Sequence, residues 1–144
     1  MRFFSVYGPR GRPDMMPYLL ADSILNGRQV KLFNNGQLYR DWTYISDIVS
    51  GVLGALDTPR AYEIYNLGRG EPVLMAEFVE ILEEMAGRSA NVIDVPAPST
   101  EPTRTWAAVE KAHAHFGYQP QVSVPAGLAQ FWQWFTENQP QIEE

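Results

Sequence analysis

The stretch Arg2-Phe3-Phe4-Ser5-Val6-Tyr7-Gly8-Pro9-Arg10-Gly11-Arg12-Pro13 constrains the fold more than any other. Phe3, Phe4 and Val6 give residues 2–6 the nearly continuous aromatic and β-branched character of a strand buried on both faces. Tyr7-Gly8-Pro9 breaks that run. Gly8, Pro9, Gly11 and Pro13 then build tight turns with fixed φ, so Arg10 and Arg12 project from a backbone with little freedom. A strand this apolar needs neighbours, and only Met1 stands before it. The stretch therefore reads as a seam, where a sheet continues beyond the residues at hand.

Helix and strand signals then alternate. Asp14 is placed to cap a helix that tolerates Pro17 in its first turn, presents Met16, Leu19, Leu20 and Ile24 on one side, and stops near Asn26-Gly27. Residues 29–33 alternate as a short strand does, Asn34-Asn35-Gly36 marks a turn, and residues 39–45 form a second strand-like piece. Ser46 and Asp47 open a helix through Ile48, Val49, Val52 and Leu56 that ends before Pro59. Residues 62–67 read as a strand closed by Gly68 and Gly70. An amphipathic helix follows, with Phe78, Val79, Leu82 and Met85 on its apolar stripe and Glu77, Glu80, Glu83 and Glu84 on its wet face. Gly87 ends it. Residues 91–95 read as a strand, Pro96, Pro98 and Pro102 hold an extended loop, and Thr105 is the expected cap of a helix running to Phe116-Gly117. A last helix after Pro125 buries Leu128, Phe131, Trp132 and Phe135. The fold class is a small mixed α/β domain over residues 1–137, with short strands and about five helices, and residues 138–144 are a tail expected to fray.

Composition removes several functions. The 144 residues carry 45% hydrophobic side chains, enough for one folded domain. No apolar run approaches the roughly 20 residues of a membrane-spanning helix, and no signal peptide is evident, so the expected compartment is the cytoplasm. With no cysteine there is no thiolate metal site or cysteine nucleophile. His113 and His115 fall on different faces of a helix, which argues against a histidine metal site. Residues 1–60 hold seven Lys/Arg against five Asp/Glu, whereas residues 61–144 hold four against twelve. Such an acidic chain lacks the broad basic face that nucleic acid requires, but its early arginines suit a compact anion.

Arg12 and Arg40 are the two arginines set among glycine, proline and aromatic residues, surroundings that preorganise a guanidinium fork for phosphate or carboxylate. The residues alone leave open whether they do this or simply pair with Asp14, Asp41 and Glu101. Phe33, at a strand end before the Asn-Asn-Gly turn, serves equally well as a core residue or as a stacking platform for a flat base. Trp132 and Trp134 read as core and surface cover. No Ser/His/Asp set, no acid pair with catalytic spacing and no glycine-rich dinucleotide turn is present, so no catalytic residue is assigned.

The first stretch, with Gly11-Arg12-Pro13-Asp14-Met15 and Arg40-Asp41-Trp42-Thr43-Tyr44-Ile45-Ser46-Asp47-Ile48-Val49, resembles the C-terminal half of the NAD-dependent nucleotide-sugar epimerase/dehydratase family, the extended short-chain dehydrogenases. Tyr65-Asn66-Leu67-Gly68, Lys111-Ala112 and Phe116-Gly117-Tyr118-Gln119-Pro120 extend the resemblance along essentially the whole chain, and the branch most resembled is UDP-glucuronate 4-epimerase. The resemblance implies a substrate-binding unit without its Rossmann half. Ser5 then corresponds to the residue touching the sugar nucleotide, Arg12 to the arginine aimed at the hexuronate carboxylate, Phe33 to the neighbour of the uracil ring and Arg40 to the diphosphate ligand. Phe3 corresponds to the strand residue near the nicotinamide of NAD.

In this family a tyrosine acts as base on the sugar 4-OH, hydride passes to NAD, the 4-keto sugar rotates, and hydride returns to the opposite face. Tyr7 does not match that tyrosine, because position 11 is Gly rather than Lys. Thr100-Glu101 replaces a common Gly-Asp, Ala108 stands at a common Asp, and Pro98 stands where other branches place a second phosphate arginine. The expectations are thus a UDP-glucuronate or UDP-galacturonate site, inactivity of the chain alone, no binding of NAD by it alone, and either self-association or pairing with a separate NAD-binding chain. A dehydratase or decarboxylase fragment, or a free-standing association module, is the alternative.

Overall fold

A computed structural model describes residues 1–138. The elements in chain order are β1 (Arg2–Phe3), β2 (Val6–Tyr7), α1 (Met16–Asn26), β3 (Val30–Phe33), a single 3-10 turn (Asn34–Gly36), β4 (Tyr39–Arg40), β5 (Thr43–Tyr44), α2 (Ile45–Asp57), β6 (Asn66–Leu67), β7 (Val73–Leu74), α3 (Met75–Ala86), β8 (Val92–Val95), α4 (Glu110–Phe116) and α5 (Val124–Glu137). The small mixed α/β class and the five helices agree with the sequence pattern. The expected tail over 138–144 lies, apart from Asn138, outside the described residues.

The strands pair two by two. β1 runs parallel to β6, β2 to β5 and β3 to β8, while β4 is antiparallel to β7. Parallel pairs need a crossover between them: α1 lies in the connection from β2 to β5, and α1 and α2 both lie in that from β1 to β6. Asn34-Asn35-Gly36 does turn the chain, but the strands on either side of it do not form a hairpin, since β3 and β4 take β8 and β7 as partners. Both asparagines and Gly36 adopt positive φ there, and a Cβ on Gly36 would stand 2.7 Å from the backbone nitrogen of Ala76. That turn is therefore packed directly on the start of α3, at a place only glycine fits.

Two cores result. The larger gathers Leu20 and Ile24 of α1, Phe78 and Leu82 of α3, and Leu128 and Phe131 of α5 around Tyr7, Trp42 and Tyr44. The smaller joins Ile48, Leu67, Ala112 and Tyr118 beneath α2 and α4. Phe78, Phe131, Leu20, Leu82 and Leu128 are wholly buried, as the apolar periodicity of the three helices requires. Gly27, Gly87 and Gly117 close α1, α3 and α4 in the left-handed conformation.

Four expectations need correction. Residues 2–6 are not one strand buried on both faces: β1 is paired along a single edge, and Phe3 is 54% exposed because no described element covers its face. Residues 62–67 contribute only Asn66–Leu67 to a strand, and Tyr62 faces solvent. Asp14 caps nothing, since its carboxylate is engaged by Arg12, and Met15 stands at the helix entry. Thr105 is likewise not a cap. It bonds back to Tyr39, and α4 begins only at Glu110.

Candidate functional site

The segment from Arg40 to Asp47 is a structural hub as well as a source of site residues. Asp41 is fully buried, and its carboxylate accepts the backbone N–H groups of Arg69 at 2.8 Å, Gly70 at 2.9 Å and Ala107 at 2.8 Å, together with the Thr43 hydroxyl at 3.2 Å. It thereby ties the exit of β6 and the loop before α4 to the β4–β5 segment that carries Arg40 and Trp42. Gly68 makes this approach possible, because a Cβ there would lie 2.7 Å from an Asp41 carboxylate oxygen. Asp47 does similar work on the next turn. Rather than capping α2, its carboxylate accepts the N–H groups of Gln121 and Val122 at 3.1 and 3.0 Å and pins the entry to α5. Neither role was visible in the sequence, where both acids read as helix-start or surface residues.

Arg40, the last residue of β4, and Trp42, in the two-residue link to β5, both face away from the Asp41 bonds. They line a cleft of about 250 Å³. Leu32, Phe33, Leu38 and Met75 form its apolar wall, Met15 and Met16 the entry to α1, and Ser5, Asp14, Arg40 and Glu101 its polar rim. Three of the four residues expected to touch substrate, Ser5, Phe33 and Arg40, thus meet in one place despite lying far apart in sequence. Phe33 is half-buried in the wall, with part of its surface left to the cleft.

Arg40 is held from several sides. Tyr39 bonds through its N–H to the Thr103 carbonyl at 2.9 Å, and its own carbonyl accepts from Thr105 N–H at 3.2 Å and from Arg40 Nη1 at 2.6 Å. The Arg40 side chain is 14% exposed and its Nη2 donates to Glu101 Oε1. Trp42 stacks tilted on Phe78 at 4.5 Å, and its indole Nε1 has no hydrogen-bond partner among the described residues. Trp42 and Met75 were not singled out from sequence. Glu101 was offered there as one possible arginine partner, and the structure gives it to Arg40.

Arg12 does not line the cleft. It is exposed and forms a two-point pair with Asp14, Nε to Oδ1 at 3.0 Å and Nη2 to Oδ2, and Asp14 is the member of the pair on the rim. That hydrogen bond holds the Asp14 carboxyl below its ordinary pKa. Phe3 also lies away from the cleft, on β1. Arg104 packs against the rings of Tyr39 and Trp106, each 5.2 Å from its guanidinium carbon.

Tyr7 has none of the properties of a catalytic base. It is buried, its hydroxyl donates to the Val124 carbonyl at 3.1 Å, and burial pushes its pKa well above the ordinary phenol value. Among the described residues no group of His, Asp and Glu could hold a metal ion, and no helix is long and apolar enough to cross a membrane. Nor do the residues present form a dinucleotide cradle. The strands that lead directly into helices do so through Tyr44-Ile45-Ser46 and Leu74-Met75-Ala76, which carry side chains where a diphosphate needs close backbone.

An apolar cleft with a flat aromatic in its wall and an arginine on its rim, lined from the parallel pair β3–β8 and the antiparallel pair β4–β7, has the make-up of a small-ligand site on an α/β unit. Residues 1–68 match the NAD dependent epimerase/dehydratase family. The chain is 39% identical over 152 residues to UDP-glucuronate 4-epimerase 5 of Arabidopsis thaliana, covering 94% of this chain and 35% of the plant protein. In structure it superposes on the UDP-glucuronic acid 4-epimerase of Bacillus cereus in complex with UDP-glucuronic acid and NAD, with a TM-score of 0.87, 34% identity, 94% of this chain and 44% of that one. MoeE5 in complex with UDP-glucuronic acid and NAD superposes with a TM-score of 0.91 and 29% identity, over 96% of this chain and 46% of that one. Residues 1–68 thus carry part of an NAD dependent epimerase/dehydratase family domain, and UDP-glucuronate 4-epimerases are similar to the chain along nearly its full length. It spans about two fifths of the length of the curated relatives it matches.

Proposed function

We propose that this chain is the substrate-binding portion of a UDP-sugar 4-epimerase acting on UDP-glucuronate or UDP-galacturonate. The observation that carries this reading is the meeting of Ser5, Phe33 and Arg40 on one cleft. In it, Phe33 stacks on the uracil, Arg40 grips the diphosphate with a fixed guanidinium fork, and Ser5 hydrogen-bonds the sugar. Arg12 completes the site by exchanging Asp14 for the hexuronate carboxylate, which is feasible because solvent screens so exposed an ion pair. The relatives' complexes with UDP-glucuronic acid support the ligand class.

The 144-residue polypeptide does not epimerise by itself, and it does not bind NAD by itself. It has neither a glycine-rich dinucleotide turn nor a tyrosine followed four residues later by a lysine. An NAD-binding unit, in the same polypeptide or a separate one, supplies both, with Phe3 of β1 turned towards its cofactor. The compartment is the cytoplasm. A second reading, association of the chain with itself or with such a partner, is favoured by the single-edged β1 and by the exposed Phe3, Val49, Leu53 and Leu56.

Calorimetric titration of UDP and UDP-glucuronate into wild type and Arg12→Ala tests the site. Wild type is expected to bind both ligands, and Arg12→Ala to lose about tenfold for the uronate alone, the size of one charge-assisted contact. Equal affinity of both proteins for the uronate removes Arg12 from the site, and turnover of UDP-glucuronate by the polypeptide alone refutes its dependence on a second unit.

A further inference from the structure

We infer that Glu101 is an internal anion seated on the Arg40 side of the cleft, which an incoming ligand phosphate must displace from Arg40, so that Glu101 lowers the affinity for phosphate ligands and blunts the preference for diphosphates over monophosphates. The inference rests on the cleft being a nucleoside-diphosphate site.

Glu101 arrives at Arg40 from 61 positions along the chain, on a turn closed by its own N–H to the Pro98 carbonyl at 2.9 Å. Its carboxylate presents to the guanidinium the same kind of oxygen acceptor as a phosphate. Both side chains are largely covered, 14% exposed for Arg40 and 33% for Glu101, and both line the cleft. Arg40 has no other acidic partner among the described residues. In this half-buried position a bare guanidinium is costly, so the arginine must be paired in either state, by Glu101 or by a ligand.

The loop is built to let the acid go. Its anchorage to β4 runs through Thr103 and Thr105 on Tyr39, two and four residues past Glu101, so the carboxylate can turn to solvent while Tyr39 keeps both backbone bonds. A ligand with one phosphate group gains less from Arg40 than one with two, and the nearby carboxylate repels the more highly charged ligand more. Asp14 is a weaker competitor of the same type. Its pair with Arg12 is local and exposed on both sides, at 75% and 62%, and solvent already screens it.

The test is titration of UDP and UMP into wild type, Glu101→Gln and Glu101→Asp, with thermal melts of each ligand-free chain. Glu101→Gln is expected to bind UDP about tenfold tighter than wild type, to widen the UDP-to-UMP ratio, and to melt at lower temperature without ligand because Arg40 has lost its partner. Glu101→Asp, a methylene shorter, should fall between the two. Equal or weaker UDP binding by folded Glu101→Gln or Glu101→Asp overturns the exchange while leaving the cleft reading intact. Absence of UDP binding by wild type and every variant overturns the cleft reading, and the exchange with it.

Discussion

Replacing Asp41 by Asn is the sharpest single perturbation of this structure, since it keeps shape and removes one acceptor oxygen. Oδ1 now accepts Arg69 N–H and the Thr43 hydroxyl, and Oδ2 accepts Gly70 N–H and Ala107 N–H. If the amide nitrogen took the Oδ2 place, two buried N–H donors would face an N–H. With nitrogen in the Oδ1 place it can donate to Thr43 Oγ1, and Arg69 N–H keeps its own 2.9 Å bond to that hydroxyl. The variant therefore adopts the second arrangement. Two bonds to a charged oxygen become neutral, at about 1 kcal/mol each, and one backbone bond is lost for about 1 to 2 kcal/mol more. The expected loss is about 3 to 4 kcal/mol. At the urea m-value of a domain this size, about 2 kcal/mol/M, the unfolding midpoint drops by roughly 1.5 to 2 M, read by far-UV circular dichroism. Because Asp41 sets Arg40 and Trp42, UDP affinity should fall as well. A midpoint within about 0.25 M of wild type would refute the hub role, since it would mean that none of these bonds depends on the second oxygen.

Other outcomes follow from the same geometry. Gly68→Ala places a Cβ 2.6 Å from that of Ala107, and overpacking there should destabilise by about 1 to 3 kcal/mol in the same urea assay. Tyr7 and Tyr118 are both raised above the ordinary phenol pKa, chiefly by burial. Their stabilisation is complete below the unfolded value near 10 and is lost as pH rises beyond it, because the unfolded chain ionises first. Urea midpoints measured from about pH 9 to pH 11 should fall with pH, and less steeply in Tyr7→Phe. Phe33→Ala should weaken UDP binding by about 5- to 100-fold while leaving the melting temperature little changed, since the ring is only half-buried. Leu53→Ser, on the outer face of α2, should shift light scattering towards smaller species if that face associates, and an unchanged mass would exclude the face from the interface.

Helices α1, α2, α3 and α5 were legible because their apolar residues recur at helical spacing over about three turns or more, and the glycine stops of α1, α3 and α4 need positive φ, a local requirement that Gly27, Gly87 and Gly117 meet. The strands were less so. Two-residue pieces such as β4 and β5 carry too little periodicity to fix a boundary, and the exposure of Phe3 depends on what lies across the sheet rather than on its own apolar neighbours. Of the site, Phe33 and Arg40 could be picked out by their settings at a strand end and between aromatics. Asp41 and Asp47 could not, because what makes them structural is the backbone of residues 69–70, 107 and 121–122 brought to them by folding. Glu101 was legible as a possible arginine partner, but which arginine it meets, 61 residues away, was decided by folding. Arg12 shows the converse. Its rigid loop was read correctly, yet its nearest acid is only two residues off and holds it outside the cleft.

The account stands or falls on Arg40 as the anion ligand of a nucleotide cleft. Calorimetric titration of UDP into wild type and Arg40→Ala, with circular dichroism to show both folded, addresses this directly. One-to-one binding by wild type and a loss of at least tenfold in Arg40→Ala are predicted. UDP binding of equal strength by the two proteins, or no binding by wild type, would contradict it.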